Sequence, residues 1–309
     1  MRIGIVTPAF NVAPYIGDTI RSVLGQTLPN WTMVAVDDGS TDDTASVVRG
    51  FRDPRLRLIS QNNAGVSAAR NRGAAALDCD AMLFLDGDDR LAPFALDSLA
   101  RALSAAPDAR AAVGAYERGG RVYPPPTGNL LERLLVRNLF VNGGHVLIRR
   151  DAVQPFRADL RYGEDWEFWV RLASAAPPPS PAMTASFTTI AGPRPILHVR
   201  ERSSGAYLRM STDPASFTAC LDAIHDNPVL ATIYTPERRA ALRRHAAAEV
   251  QWTIGRELIR HRRYRAGIMR LSRSLALAPT LRRTAVLAAI ALLPPRWRGP
   301  LYPYAEDSE

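Results

Sequence analysis

The chain has 309 residues, 47% of them apolar and 22% charged, with a net charge of +9. That is room for one large α/β domain with an appendage, or for two modest domains, with the composition of a soluble globular protein and not of a disordered or fibrous one. All 39 basic residues are arginine, and the excess is local: residues 1–235 carry 24 arginines against 24 acids, residues 236–309 carry 15 against 6.

The elements alternate. "IGIVT" (3–7) is a short apolar run ending at a proline, as a buried strand does, and Ile16, Ile20, Val23 and Leu24 recur at helical spacing behind it. "WTMVAVDDGSTDDTASVVRGF" (31–51) reads as strand, turn and helix, with Ser40 and Asp43 set as a capping box. "LRLISQ" (56–61) is a third strand, "AGVSAARNRGAAAL" (64–77) a helix of small residues, and "AMLFLDGDD" (81–89) a fourth strand with an acidic exit. Strands alternating with helices at these lengths predict a largely parallel sheet covered on both faces. Beyond residue 110 the pattern loosens: "GGHVLIRRDAV" (143–153) reads as a strand, "GEDWEFWVRLAS" (163–174) as a capped helix, and "APPPSPAM" (176–183) as a proline-rich loop. From about residue 214 nearly everything reads as helix, with an antiparallel pair over 254–279.

The tail's arginines could face an anionic membrane surface or water; without interleaved aromatic and basic residues they do not predict a nucleic-acid partner. Cys79 and Cys220 lie far apart without metal-ligand spacing, which suggests a reducing compartment. Pro8 and Asn11 interrupt the first apolar run too early for a signal peptide, and "AVLAAIALL" (285–293) is about half a bilayer-spanning length. The expected location is cytoplasmic, at most peripheral on the inner face of the membrane.

Three polar clusters stand where strands should end: "TPAFN" (7–11), "VDDGSTD" (36–42) and "FLDGDD" (84–89). Each alone is an ordinary turn composition, and Asp89 could cap a helix starting near Pro93. Parallel strands, however, deliver their carboxyl ends to one crevice, where ligands bind. Three carboxylates in six residues also suit a cation or a metal-bound phosphate.

Taken in order, "VTPAFN", "SVLGQT", "VDDGSTDDT", "NAGVSAARNRG", "FLDGDD" and "GEDWEFWVRL" make the chain similar to bacterial glycosyltransferases of family 2. The resemblance covers residues 1–205 and implies a GT-A fold: a Rossmann-like, mostly parallel sheet flanked by helices, nucleotide-sugar-binding and catalytic. Residues 206–309 would form a helical C-terminal region without a family signature.

The resemblance also assigns roles. Asp38 would accept a hydrogen bond from the donor's base, since a carboxylate only accepts and a uracil offers an imide N–H; it could instead be a turn aspartate. Pro8 and Phe10 would floor the base pocket, Gly65 would let the backbone pass close to the donor, and Arg70 would reach the diphosphate. Asp88, with Asp86 beside it, fits the DxD pattern for Mn2+ or Mg2+, to which the nucleotide adds phosphate oxygens. Asp165 matches the base that takes the acceptor hydroxyl's proton in an inverting transfer, or caps a helix. Glu164 and His145 are weaker acceptor-side candidates, and a buried, satisfied histidine is an equal reading of His145. Relatives carry a histidine near the domain's end where "LHVRERSSG" (197–205) offers Arg200 and Arg202 as diphosphate contacts; His198 reads as a packed residue.

The function so implied is metal-dependent inverting transfer of a sugar from a nucleotide-diphosphate donor, a UDP-sugar first, to a hydroxyl of a glycan or lipid-linked acceptor in bacterial polysaccharide biosynthesis. The C-terminal region could touch a membrane peripherally through Arg282, Arg283, Arg296, Trp297 and Arg298. A catalytically silent nucleotide-sugar-binding or scaffold protein is the alternative. The missing GxGxxG after the first strand argues against a dinucleotide oxidoreductase.

Overall fold

Strand β1 (Ile3–Ala9) is buried along its whole length, as a strand must be when parallel neighbours flank it and helices cover both faces. It pairs in parallel with β2 (Trp31–Asp37) and with β4 (Ala81–Phe84), and β2 pairs in parallel with β3 (Leu56–Ser60). The computed structural model describes residues 1–175, 187–190, 192, 194–201 and 214–292. The proline-rich stretch 176–183 and Arg202 lie outside them.

The chain divides into two compact units. The first comprises residues 1–130, 139–159 and 167–201; the second comprises 131–138, 160–166 and 202–309. The helical unit thus takes in two short segments that the sequence places within 1–205.

In the first unit, β5 (Arg90–Leu91), β6 (Ala111–Val113), β7 (Ala115–Arg118), β8 (Arg121–Tyr123), β9 (Val146–Arg149), β10 (Phe187–Thr189) and β11 (Pro195–Val199) complete two sheets. The larger has the order β10-β6-β9-β4-β1-β2-β3, and the smaller β5-β11-β7-β8. In the larger sheet β9 runs antiparallel to β4 and β6, and the other pairings are parallel.

Three helices pack on β1, β2 and their neighbours. In α1 (Ala13–Leu24) the periodic Ile16, Ile20 and Val23 are buried. In α4 (Ala95–Ala105) Leu96, Leu99 and Leu103 are fully buried, positions where truncation to alanine costs about 2–5 kcal/mol. The small residues of α3 (Val66–Ala75) have a packing cause. A Cβ on Gly73 would stand 2.5 Å from Val6 Cγ1 and 3.2 Å from Val36 Cγ2, so the helix lies almost on the sheet.

The expected capping box is absent. Helix α2 (Thr44–Arg49) begins after Asp43, whose side chain makes no cap bond. Asp42 takes that role for two helices, accepting from Thr44 N at 3.0 Å and from Ala13 N, at the start of α1, at 3.0 Å. Burial opposes its charge, but the Thr44 hydroxyl and these backbone N–H groups hold the carboxyl below its usual range.

The second unit is helical: α5 (Leu130–Leu134), the first turn of α6 (Glu164–Ser174), α7 (Pro214–His225), α8 (Leu230–Ile233), α9 (Pro236–Arg260), α10 (Tyr264–Leu277) and α11 (Leu281–Leu292). Helices α9 and α10 form the expected pair, and they meet at two glycines. A Cβ on Gly255 would lie 2.8 Å from Leu271 Cγ, and one on Gly267 would lie 2.9 Å from Gly255 O. Among the described residues no helix is long and apolar enough to cross a membrane. Arg283 is buried, donating to Ala278 O and paired with Glu249, so it is not available to a headgroup; Arg296, Trp297 and Arg298 lie outside the described residues.

Candidate functional site

Because β1, β2 and β4 are parallel and in register, their carboxyl ends share one edge, and backbone bonds lock the three exits together. Asp38 N donates to Ala9 O at 2.8 Å, and Leu85 N donates to Val6 O at 2.9 Å. Asn11, at φ 51°, donates its N–H to Ser40 Oγ at 3.1 Å and accepts from Thr41 N at 2.9 Å. Pro8 is buried in the strand, while Phe10 is 47% exposed on the first exit.

Asp38 is 3% exposed and serves as an anchor of the next loop. Its Oδ1 accepts from Gln61 Nε2 at 2.7 Å and Ala64 N at 2.9 Å, and its Oδ2 accepts from Gly65 N at 2.9 Å. Three of a carboxylate's roughly four lone-pair directions are therefore taken. Gly65 sits at φ 90° with open space where a Cβ would be, so its requirement is the backbone conformation that opens α3.

The third exit carries the charge. Asp86 and Asp88 are half-buried on the turn after β4, and Asp86 Oδ1 receives Arg70 Nη2 at 3.1 Å. Arg70 is itself buried, its guanidinium 5.1 Å from the centroid of the Phe156 ring. The α3 side chain next to it, Asn71, clamps the same segment by donating to Phe156 O at 2.8 Å and accepting from Phe156 N at 2.7 Å.

Asp89 turns inward and caps nothing, for β5 separates it from α4. It is 2% exposed, accepts from Asn142 Nδ2, and accepts from Arg200 N at 2.9 Å. Burial first, then the charges of Asp86 and Asp88, push its pKa up to about 8. Arg200 closes the cluster: Nε donates to Asp88 O at 3.2 Å, Nη2 meets Asp18 Oδ2 at 3.2 Å, and the guanidinium stacks 4.7 Å from the Tyr15 ring centroid. Sequence reasoning left Asp18 unassigned and read Asp89 as a helix cap. Asp89 lay inside the quoted motif, but which of three adjacent aspartates turns inward depends on Asn142 and Arg200, 53 and 111 residues away.

Two histidines resolve differently. His145 is corrected to a packing residue: it is 1% exposed, its Nδ1 lies 2.9 Å from Gly114 O, and its ring meets Tyr116 and Phe140 edge-on, leaving no face for an acceptor. Burial lowers its pKa to about 4. His198, expected to be packed, is half-exposed beside Glu117, with Nδ1 3.1 Å from Oε2, and lines a shallow hollow with Arg90 and Asp18.

In the second unit, Asp165 lies on the first turn of α6. Its Oδ1 accepts from Trp166 N at 2.7 Å and its Oδ2 from Asn138 Nδ2 at 3.0 Å. Trp166 is fixed by its own indole N–H, which donates to Leu134 O at 2.6 Å. Glu164 precedes it, half-buried. Asn138 carried no signal in the sequence, since its partner is 27 residues away.

Residues 4–157 match the family model described as "Glycosyl transferase family 2". The chain belongs to glycosyltransferase family 2. Among curated relatives, it is 36% identical over 91 residues to the putative teichuronic acid biosynthesis glycosyltransferase TuaG of Bacillus subtilis, covering 28% of this chain and 36% of that one. It is 27% identical over 169 residues to glycosyltransferase GlyG of Streptococcus pneumoniae, covering 54% and 52%. The chain therefore aligns with about a third to a half of the length of these relatives. Among solved structures, S. aureus TarS 1–349 in complex with UDP-GlcNAc superposes with TM-score 0.55 at 15% identity over 94% of this chain and 91% of that one. The mannosyltransferase PcManGT from Pyrobaculum calidifontis, in complex with GDP-Man and Mn2+, does so with TM-score 0.56 at 20% identity over 95% and 81%. These likenesses establish the GT-A fold.

Among the described residues no group of three or more His, Cys, Asp or Glu side chains is arranged to hold a metal. Asp86 and Asp88 supply two hard oxygen donors on one turn, the number that Mg2+ or Mn2+ takes from protein when substrate phosphates complete its coordination.

Proposed function

We propose that the chain is a metal-dependent inverting glycosyltransferase that moves a sugar from a nucleotide-diphosphate donor, a UDP-sugar first, to a hydroxyl of a glycan or lipid-linked acceptor. The observation that carries this reading is the acidic turn after β4, at the shared edge of parallel strands, with Arg70 locked onto Asp86 at 3.1 Å. In it Asp88 and Asp86 would hold the cation, whose charge would offset that of the departing nucleotide diphosphate. Arg70 and Arg200 fix the turn's geometry and add positive charge on the phosphate side. Phe10 offers an exposed ring for the base, and Asp38, through Gln61 and the 64–65 backbone, shapes the loop beside it. Asp165, held in one orientation by Asn138 and the Trp166 N–H, takes the proton of the acceptor hydroxyl as it attacks the anomeric carbon. The nucleotide-sugar complexes of TarS and PcManGT support the donor class, and the likeness to TuaG, a putative teichuronic acid biosynthesis glycosyltransferase, supports a glycan acceptor. Membrane contact through the C-terminal region belongs to the same proposal.

A panel of nucleotide sugars, with Mn2+ and with chelator, tests the reading. Turnover is expected only with metal. Asp88→Ala should abolish it and weaken metal-dependent donor binding, while Asp165→Asn should bind donor yet lose transfer by about a hundredfold or more. Metal-independent turnover, or an Asp165→Asn variant as fast as the parent, overturns the assignment; donor binding without any turnover favours the silent scaffold.

A further inference from the structure

Beside Asp165, within the helical unit, lies a hollow of about 210 Å3 whose walls include Arg137, Asn138, Trp166, Trp252, Arg256 and Arg282. Asn138 is the link, because the same amide that lines the hollow donates to Asp165 Oδ2 at 3.0 Å. Trp166 is anchored by its N–H to Leu134 O, and Trp252 is 6% exposed with Arg283 6.0 Å from its ring centroid, so both indoles are rigid walls.

The charge of the hollow is one-sided. Its lining acid, Glu249, is already bound by buried Arg283. Arg137, Arg256 and Arg282 are exposed, and among the described residues none of the three has a carboxylate partner. Three cations facing one small space repel one another until an anion enters, and guanidinium forks are suited to carboxylate or phosphate oxygens. The chain's exclusive use of arginine explains why these cations are arginines. It does not explain why three of them, without acids, converge on a hollow walled by tryptophans.

We propose that this hollow binds the acceptor through an anionic group, as a sugar carrying a carboxylate or a phosphate, and thereby presents a hydroxyl to Asp165. The proposal rests on reading Asp165 as the base. Arg137, Arg256 and Arg282 supply the charge-assisted bonds, and Trp166 and Trp252 wall the space.

Calorimetric titration of the full chain, without donor, tests it with three probes: glucuronic acid, glucose 1-phosphate and methyl glucoside. At least one anionic sugar should bind ten times or more tighter than the neutral one, and the stronger of the two names the source of the charge. Changing Arg137, Arg256 and Arg282 together to Ala should lower that affinity at least tenfold and leave UDP binding and the melting temperature unchanged, since all three side chains are exposed. Equal binding of anionic and neutral sugars, or a triple variant that binds like the parent, overturns the proposal. The two readings fail separately. Anionic-sugar binding by a chain that never turns over donor sinks the transferase reading alone, and turnover on a neutral acceptor with no anionic preference sinks this one alone.

Discussion

Asp38 separates two roles that look identical in the sequence. A carboxylate that only meets the donor's base can be removed at little cost to the fold, whereas one that anchors a loop cannot. In the structure Asp38 is buried and receives Gln61 Nε2, Ala64 N and Gly65 N between 2.7 and 2.9 Å. Asp38→Ala removes three charge-assisted bonds and strands two backbone N–H groups. Each such bond is worth about 1.5–3 kcal/mol, and because they share one acceptor the total falls below the sum, at about 3–5 kcal/mol. For a unit of this size that corresponds to about 8–16 °C in melting temperature. Asp38→Asn keeps the shape but points an NH2 at a donor, and should cost about half as much. Gln61→Ala is the control: it loses one bond, leaves the carboxylate bound by both backbone groups, and should cost about 1–2 kcal/mol. Thermal melts and UDP titration on the three variants check the argument. An Asp38→Ala protein that melts within 2 °C of the parent while failing to bind UDP would refute the anchoring role and leave a ligand contact in its place.

The remaining expectations use the first unit's buried groups. His145 has a folded pKa of about 4 against an unfolded value near 6.5, so the unfolded chain takes up the proton first. Its contribution is complete above pH 6.5 and is lost as pH falls towards 4, about 2 kcal/mol between pH 7 and 5. A His145→Gln variant should show that much less acid sensitivity in its urea midpoint, and parallel pH curves for the two proteins would be the contrary result. Asn71→Ala removes both bonds to the Phe156 backbone and should destabilise by about 2 kcal/mol, read as a lower urea midpoint at unchanged slope. An unchanged midpoint would mean that the segment under Arg70 is held without the clamp.

The order of strands and helices through residue 84, and the three polar exits, were legible because they are local. Period, proline and glycine positions, and strand length are written within windows of about ten residues. The small residues of α3 were likewise visible, though their cause, Gly73 pressed on Val6 and Val36, needed the sheet. What the sequence did not disclose is partner choice at long range. Asp42, not Asp43 or Ser40, caps α2, because its second oxygen also holds Ala13, 29 residues back. Motif reading ranks the residues of a cluster by habit, while burial and available donors rank them by energy.

The same distinction explains why the acceptor side was the less legible half. Donor-side groups cluster on turns that follow consecutive strands, so their chemistry appears as short quotable strings. Asp165 acquires its setting from Asn138, on a segment between α5 and the next strand, and the hollow beside it gathers side chains from positions 137, 166, 252, 256 and 282. No window of sequence holds them together, and arginine used throughout the chain hides the three that line the hollow. A charge count over the tail registers the excess but assigns it to a surface at large, and Arg283, counted with the rest, is buried against Glu249. Pairing decides which cations are spent on the fold and which remain for a ligand, and pairing is a property of the folded chain alone.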